Sequence, residues 1–361
     1  MTIGIDTSRV TKTQLTGTEY YSIQLIKKLN NIETDDKFLL YAQKDPHSRL
    51  GKLNSNFKTK IMPFPRLWSQ IRLSIEMIFH KPEVLFVPAH LLPLIHPKNS
   101  VVTIHDLGFK KYPELYPPHE LLYHNFGMNF SVKHAKKIIA ISEATKKDLL
   151  SSYAIEPNKI EVIWQGCDLN FFKPSSKPNK KPYIFYIGRI EEKKNIINMV
   201  KAFAFLKKEK GLKHQFILAG SPGYNYENIK KEIDSLPSEI RCDIIELGYI
   251  SQNDYLQYLQ EAEIFLFVTN FEGFGMPIIE AMACGTPVIT SNVSSMPEIA
   301  ANAALLVNPC RPNDIGMAMS KLIHNPGLRQ SLILKGRVRS KIFTWQKTAQ
   351  KTLAVLEQAG K

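Results

Sequence analysis

The chain has 361 residues, 44% hydrophobic and 22% charged, with a formal net charge of +14. That balance excludes a disordered or collagen-like chain, and the length exceeds the about 250–300 residues that one core normally fills, so two domains are expected. The positive excess favours anionic partners (nucleic acid, an acidic membrane surface or phosphorylated substrates) but is spread over both halves, with no basic block of the kind that marks a nucleic-acid tail.

The first stretch, MTIGIDTSRV, reads as a strand and not as a signal peptide. Strands are expected at 2–5, 37–42, 59–62, 84–87, 100–104, 137–141 and 160–163, and helices at 18–30, 67–80, 119–134 and 143–152. Alternation of this kind marks an α/β domain with a mostly parallel sheet. Residues 173–182, KPSSKPNKKP, hold three prolines and no apolar residue and read as a linker. The alternation then restarts, with strands at 183–187, 215–219, 243–247, 264–268, 286–290 and 304–307. Helices fit at 195–209, 225–235, 252–261, 277–284, 312–323 and 325–342. The organisation is therefore a first domain over 1–172, a linker over 173–182, a second domain over 183–342 and a terminal helix within 343–361. Two such α/β halves facing each other would make a deep cleft. No apolar run reaches the about 20 residues that span a bilayer. Four dispersed cysteines without a C-x-x-C pair disfavour a disulfide framework or zinc site and fit a reducing cytoplasm.

Ligands of open parallel sheets bind beyond the carboxyl ends of the strands, so chemistry is sought just after each strand. Residues 264–290, IFLFVTNFEGFGMPIIEAMACGTPVIT, are the most informative. A strand ends near Val268, and a loop with Glu272, Gly273 and Gly275 follows. Pro277 then suits a first helical turn and Gly285 a helix end. The glycines let backbone approach a ligand at a helix N-terminus, and a carboxylate can accept two hydroxyls of a sugar or ribose at once. Alternatively, Glu272 is a solvated loop charge and Glu280 a helix-start carboxylate favoured by the dipole. After the strand 183–187, Arg189 and Lys194 place two cations in a strand-to-helix turn, where they either meet an anionic ligand or pair with Glu191 and Glu192.

In the first half, Gly17 stands at a helix start, in a loop that lacks both common phosphate-binding glycine patterns. His105 ends the strand 100–104; it is placed either to contact a substrate hydroxyl or phosphate, or to serve a structural role with Asp106 as a turn residue. Ser142 reads as an N-cap. In residues 63–81, Trp68, Ile71, Ile75 and Ile78 share roughly one helical face beside Arg66, Arg72 and Lys81. A membrane-surface helix has that pattern; packing of the stripe into the core is the expectation adopted. The chain contains no G-x-S-x-G elbow, H-E-x-x-H, P-loop or Asp-x-Asp.

EGFGMPIIEAMACGTPVI resembles the signature of retaining GT-B glycosyltransferases, specifically glycosyltransferase family 4. The resemblance spans nearly the whole chain, through IGIDTS, TGTEYY, TIHDLGFKKYPELY, IIAISEATKKDL, VIWQGCD, YIGRIEEKKN, ILAG, LGYIS and FTWQKTAQKTLAVL in order. It implies a GT-B fold of two Rossmann-like α/β domains facing across a cleft, the second binding a nucleotide-sugar and the first an acceptor. By the same resemblance Glu280 would hold the ribose, while Glu272 and the backbone of Gly273, Phe274, Gly275 and Met276 would contact the donor sugar. Arg189 and Lys194 would bind the diphosphate with Gly17 near it, His105 would sit beside the transferred sugar, and backbone at Tyr249 and Ile250 would meet the base. Glu19 departs from the pattern, since many members have another residue there after a paired glycine. The terminal helix crosses back onto the first domain in many members, and residues 343–358 are placed to do so here.

The resemblance implies a cytoplasmic hexosyltransferase, nearest to mannosyltransferases and next to glucosyltransferases, with peripheral association at the inner face of the membrane. The donor would be a GDP- or UDP-linked sugar and the acceptor a glycan or lipid-linked molecule in surface polysaccharide or glycolipid synthesis. No divalent metal is required in this reading, and no nucleic acid is bound. A GT-B sugar epimerase and a non-catalytic nucleotide-sugar-binding subunit are the alternatives; the donor-binding signature and the acceptor-side HDL argue against the first, and Glu272, Glu280, Arg189, Lys194 and His105 together argue against the second.

Overall fold

The computed structural model describes residues 1–12, 16–175 and 182–361. It divides into two compact units. One comprises Met1–Pro113, Pro117–Gly166 and Thr344–Lys361, the other Glu114–Tyr116 and Cys167–Phe343.

Seven strands of the first unit form one sheet: β1 (Thr2–Asp6), β2 (Lys37–Ala42), β3 (Phe57–Ile61), β4 (Val84–Val87), β5 (Ser100–Ile104), β6 (Lys137–Ala140) and β7 (Ile160–Val162), in the order β3-β2-β1-β4-β5-β6-β7. The second unit's sheet has six: β8 (Tyr183–Ile187), β9 (Gln215–Ala219), β10 (Ile244–Gly248), β11 (Ile264–Phe267), β12 (Val288–Ser291) and β13 (Ala304–Val307), in the order β10-β9-β8-β11-β12-β13. Every strand pair in both sheets is parallel. The central strands β4, β5, β11 and β12 are buried along their whole length, because helices cover both faces of a parallel sheet. Their sequences are accordingly near-continuous apolar runs.

Strand order fixes where ligands can enter. The chain reverses its direction of winding between β1 and β4 in the first sheet and between β8 and β11 in the second. Neighbouring connections leave opposite faces of the sheet at such a switch point and open a crevice at the strand carboxyl ends.

The terminal helix Trp345–Gly360 belongs to the first unit, packed on the helix Gly17–Leu29 and against β4, β5 and β6. Conversely, residues from Cys167 to Phe172, which composition assigns to the first domain, pack with the second: the Phe172 ring meets Tyr255 at 5.6 Å. Apolar side chains carry that stretch into the second core before the proline-rich sequence begins. Of the linker 173–182, residues 176–181 lie outside the described residues.

The stripe at 63–81 departs from expectation. Trp68 is buried and donates its indole N–H to the Met62 carbonyl, but Ile71, Ile75 and Ile78 face solvent. Residues Ser69–Leu73 form a π-helical turn closed by Leu73 N–H to the Trp68 carbonyl, before the α-helix Ser74–Phe79. The wider turn holds an extra residue. It therefore brings Leu73 and Met77 inward below Trp68, and the isoleucines rotate outward.

Candidate active site

The second unit's switch point is built by the turns after β8 and β11. Gly188 has φ +149 and Gly220 φ +140, and a Cβ on Gly220 would stand 1.8 Å from the Gly188 carbonyl oxygen. Only glycine permits this approach, which brings the ends of β8 and β9 together. The Tyr186 hydroxyl donates to the Arg189 carbonyl at 3.2 Å and steadies the turn that follows.

That turn ends in a short 3₁₀ segment, Glu192–Lys194, and then Asn195 at φ +61. Buried Asn195 donates its side-chain amide to the carbonyls of Val268 and Pro309, both at 2.9 Å. It thereby ties the β8 turn to the end of β11. Lys194 reaches across the same gap: its Nζ lies 2.6 Å from Glu272 Oε1, with both side chains largely shielded. Arg189 is 64% exposed and only loosely placed, with Nε 3.9 Å from Glu191 Oε2. Buried Glu191 is also met by Lys193 at 3.3 Å. The two cations expected at the diphosphate thus differ: Lys194 is held against the loop carboxylate and Arg189 extends into solvent.

The Glu272 loop is supported from behind. Its carbonyl accepts hydrogen bonds from the Ser294 and Ser295 hydroxyls at 2.6 and 2.9 Å, and Ser295 also donates to the Phe274 carbonyl at 2.8 Å. Phe274 is buried against Phe343, edge to face at 5.9 Å. Gly275, at φ +100, turns the chain into the helix Met276–Cys284, with Pro277 in its first turn as expected. The backbone N–H groups of such a first turn lack intrahelical acceptors and point outward along the axis.

Glu280 lies on that helix, buried. Its carboxylate accepts a 2.7 Å hydrogen bond from Tyr255, a residue of the helix Gln252–Glu261. Burial pushes its pKa from 4.5 up to about 7, and the Tyr255 hydrogen bond opposes the rise. Burial, and then the nearby Glu280 charge, also raises the thiols of Cys167 and Cys284 and the Tyr255 hydroxyl. Tyr255, whose hydroxyl holds the Glu280 carboxylate, is not singled out by the sequence reading. Beyond β10, Tyr249 is 72% exposed and Ile250 half-buried.

In the first unit, Gly17 opens the helix Gly17–Leu29. The Thr16 backbone N–H donates to Glu19 at 3.0 Å, and its hydroxyl also donates there. This accounts for Glu19: the carboxylate satisfies the helix start and meets Arg9 at 3.4 Å. Among the described residues, apart from its chain neighbours and its own helix backbone, no atom lies within 4 Å of where a Gly17 Cβ would stand. Ser142 caps its helix as expected, accepting from Thr145 N–H at 3.0 Å.

His105 is buried after β5, against the edge of the Tyr21 ring at 4.9 Å. Its Nε2 lies 2.9 Å from the Pro88 carbonyl, which can only accept, so Nε2 carries the proton. Nδ1 is left as an acceptor, with the Gln165 amide 3.5 Å away. Burial lowers the pKa of His105, and the neutral ring offers a lone pair and not a mobile proton. His90, just after β4, was passed over by the sequence reading. It has φ +50, its ring is 5.1 Å from His105, and its buried Nδ1 has no partner among the described residues. Burial and the neighbouring His105 lower its pKa to about 3. The only sequence signal for it was a histidine just past a strand end.

Residues 168–339 match the family model described as Glycosyl transferases group 1, and residues 32–171 match Glycosyltransferase Family 4. The chain is 25% identical over 377 residues to the O-antigen chain mannosyltransferase B of Escherichia coli, covering 95% of this chain and 96% of that protein. Among solved structures it resembles sucrose-phosphate synthase from Thermosynechococcus elongatus, with a TM-score of 0.80, 19% identity and coverage of 99% of this chain and 98% of that one. It also resembles Anabaena HepE in complex with UDP-glucose, with a TM-score of 0.76, 15% identity and coverage of 99% and 100%. These structural likenesses show the fold, which is GT-B. Two family models that meet near residue 170 and together run from 32 to 339, over two switch-point sheets, place the chain among the group 1, family 4 glycosyltransferases.

Proposed function

We propose that this glycosyltransferase moves a hexose from a nucleoside diphosphate sugar to a glycan or lipid-linked acceptor, with retention of configuration and without a divalent metal. The observation that carries the reading is the second unit's switch point. There the Lys194–Glu272 pair joins the turns after β8 and β11, exposed Arg189 stands in the same β8 turn, and buried Glu280 lies on the helix that the Glu272 loop opens. Glu280 accepts ribose hydroxyls, Arg189 and Lys194 meet the diphosphate, and Glu272 with the Gly273–Met276 backbone meets the sugar. Backbone at Tyr249 and Ile250 faces the base. Mannose is the first sugar to test, because the Escherichia coli relative is a mannosyltransferase, and glucose is the next. The HepE structure contains UDP-glucose, so GDP- and UDP-linked donors both belong in the test. The setting proposed is the cytoplasm, in surface polysaccharide or glycolipid synthesis.

In the proposed reaction the bond from the sugar C1 to the diphosphate oxygen breaks, and its electron pair leaves with the diphosphate. Arg189, Lys194 and the helix start stabilise that developing charge. The acceptor oxygen bonds to C1 on the same face, and its proton passes to the departing phosphate oxygen. His105, neutral and accepting at Nδ1, where the Gln165 amide lies 3.5 Å away, orients a sugar hydroxyl and does not supply a proton.

The test has two steps. Thermal shift with GDP, UDP and ADP sugars identifies the donor, since a ligand at 100 times its Kd adds about 2.7 kcal/mol of stability. Product analysis with and without acceptor then reads the reaction, and NMR of the new linkage reads its anomeric configuration. An inverted linkage overturns the same-face step. Sugar isomerisation without acceptor would make the protein an epimerase instead.

A further inference from the structure

Two histidines of the first unit meet beside the point where its sheet changes winding direction. His90 follows β4 and His105 follows β5, which are neighbours in the sheet. The β4 loop is stitched to β5: the His90 backbone N–H donates to the Thr103 carbonyl at 2.9 Å, and the Pro88 carbonyl accepts Nε2–H of His105 at 2.9 Å. The two rings stand 5.1 Å apart at 60°. Arg9, from the loop after β1, lies near enough with Asp106 and His124 to act on the charge of His90. Polar groups gathered at strand carboxyl ends stand where an open parallel sheet takes its ligand.

His90 carries two costs that its packing does not repay. Its φ of +50 lies in the left-handed region that side chains other than glycine rarely adopt. Its Nδ1 is enclosed without a partner among the described residues. Glycine would remove the first cost, and phenylalanine the second with a ring still set against His105. Backbone strain of this kind gathers at ligand sites.

The enclosed nitrogen identifies the working one. Of the two ring nitrogens only Nδ1 is both enclosed and unpartnered, whereas the residue as a whole is partly exposed. The open edge of the ring is therefore the Nε2 edge. Burial and the neighbouring His105 hold the ring neutral, so it has one proton to place. An enclosed N–H without an acceptor is costlier than an enclosed lone pair, which assigns that proton to Nε2. His105 is the complement, with Nε2–H spent on Pro88 and Nδ1 accepting. One ring offers a donor and its neighbour an acceptor, a pair that matches two adjacent hydroxyls of a sugar.

We infer that His90 is a sugar-binding residue of the first unit, donating Nε2–H to a hydroxyl next to the one that His105 orients. The inference rests on the proposed hexosyl transfer for the identity of the ligand. Its own evidence is the geometry of the β4 loop.

The test compares H90F with H90Q, which meet the same backbone conformation. Phenylalanine keeps a ring against His105 and removes both nitrogens. Glutamine gives up the ring but carries an amide N–H to about the place of Nε2. Nucleoside diphosphate release from GDP-mannose and UDP-glucose is measured with and without methyl α-mannoside as acceptor, beside calorimetry of the same sugars and urea unfolding. H90F should lose at least tenfold in kcat/KM with an unchanged or higher urea midpoint, because the enclosed unpartnered nitrogen is gone. H90Q should recover most of that loss. A raised KM for the mannoside assigns the hydroxyl to the acceptor, and an equal loss without it assigns the hydroxyl to the donor; either supports the inference. Wild-type kcat/KM and affinity in H90F overturn it. So does H90F outperforming H90Q, which would make His90 a packing support for His105. Wild type that binds these sugars, loses that affinity in H90F and turns over none would overturn the proposed function and leave the sugar-binding role of His90 standing. Wild type that neither binds nor turns them over overturns both.

Discussion

Glu280 carries a cost that its substitution should expose. The unfolded chain titrates this carboxyl near 4.5, whereas the folded chain holds it at about 7 because it is buried with only the Tyr255 hydroxyl beside it. Between those values the folded state binds the proton more tightly. Stability from this group is therefore present below pH 4.5, declines as pH rises, and reaches its minimum above about 7. The full difference corresponds to about 3 kcal/mol, as an upper figure. Glu280→Gln keeps the shape and an oxygen for Tyr255 but cannot ionise. The variant should be more stable than wild type at pH 8, by up to about 3 kcal/mol, with the gain shrinking toward zero at pH 5. Urea unfolding at both values measures it. The same change should weaken nucleoside diphosphate binding about tenfold or more, since charged hydrogen bonds contribute about 1.5–3 kcal/mol each. A stability difference that is absent, or that is the same at pH 5 and pH 8, would refute the reasoning about burial. Unchanged nucleotide affinity would refute the ribose assignment.

Three further outcomes are expected. Replacing Arg189 and Lys194 together by Ala should nearly abolish donor turnover with the fold intact by circular dichroism; near-native activity would remove the diphosphate role. Glu272→Gln should weaken nucleotide-sugar binding more than binding of the bare nucleotide in calorimetry, and the reverse order would exchange the roles of Glu272 and Glu280. Donor turnover should survive exhaustive EDTA treatment, with Mg²⁺ or Mn²⁺ adding nothing, because in the proposed reaction Arg189, Lys194 and a helix start carry the leaving-group charge. Activity that EDTA abolishes and metal restores would show that account to be incomplete.

Much of the sheet framework was legible because buried parallel strands are written as apolar runs with polar or glycine ends. Tyr183–Ile187, Gln215–Ala219 and Ser100–Ile104 coincide with their expected bounds for that reason. The stripe at 63–81 was misread because a 3.6-residue period was assumed where a π-turn intervenes, and one extra residue exchanges the inner and outer faces. The candidate residues could be named one by one from the sequence, but their pairings could not. Lys194 and Glu272 are 78 positions apart and meet only because β8 and β11 are neighbours in the sheet. Strand order is a property of the whole topology, which no local pattern carries. Asn195 and Tyr255 were missed for the same reason, since each acts on a backbone or side chain distant in sequence.

The two signature carboxylates are held in opposite ways, and this bears on how a donor enters. Glu272 already has its counter-ion in Lys194, at 2.6 Å, and its loop is pinned through its own carbonyl by Ser294 and Ser295. Buried Glu280 pairs with no cation among the described residues and accepts from the Tyr255 hydroxyl. A diphosphate that reaches Lys194 must share it with Glu272, so the carboxylate becomes available to sugar hydroxyls as the anion arrives. Ribose hydroxyls that donate to Glu280 favour its charged form and draw its pKa down from about 7. Donor binding in this reading draws Lys194 partly away from Glu272 and gives Glu280 hydroxyl donors besides Tyr255. The exposed Arg189, whose present partner lies 3.9 Å away, gives up little to join the diphosphate.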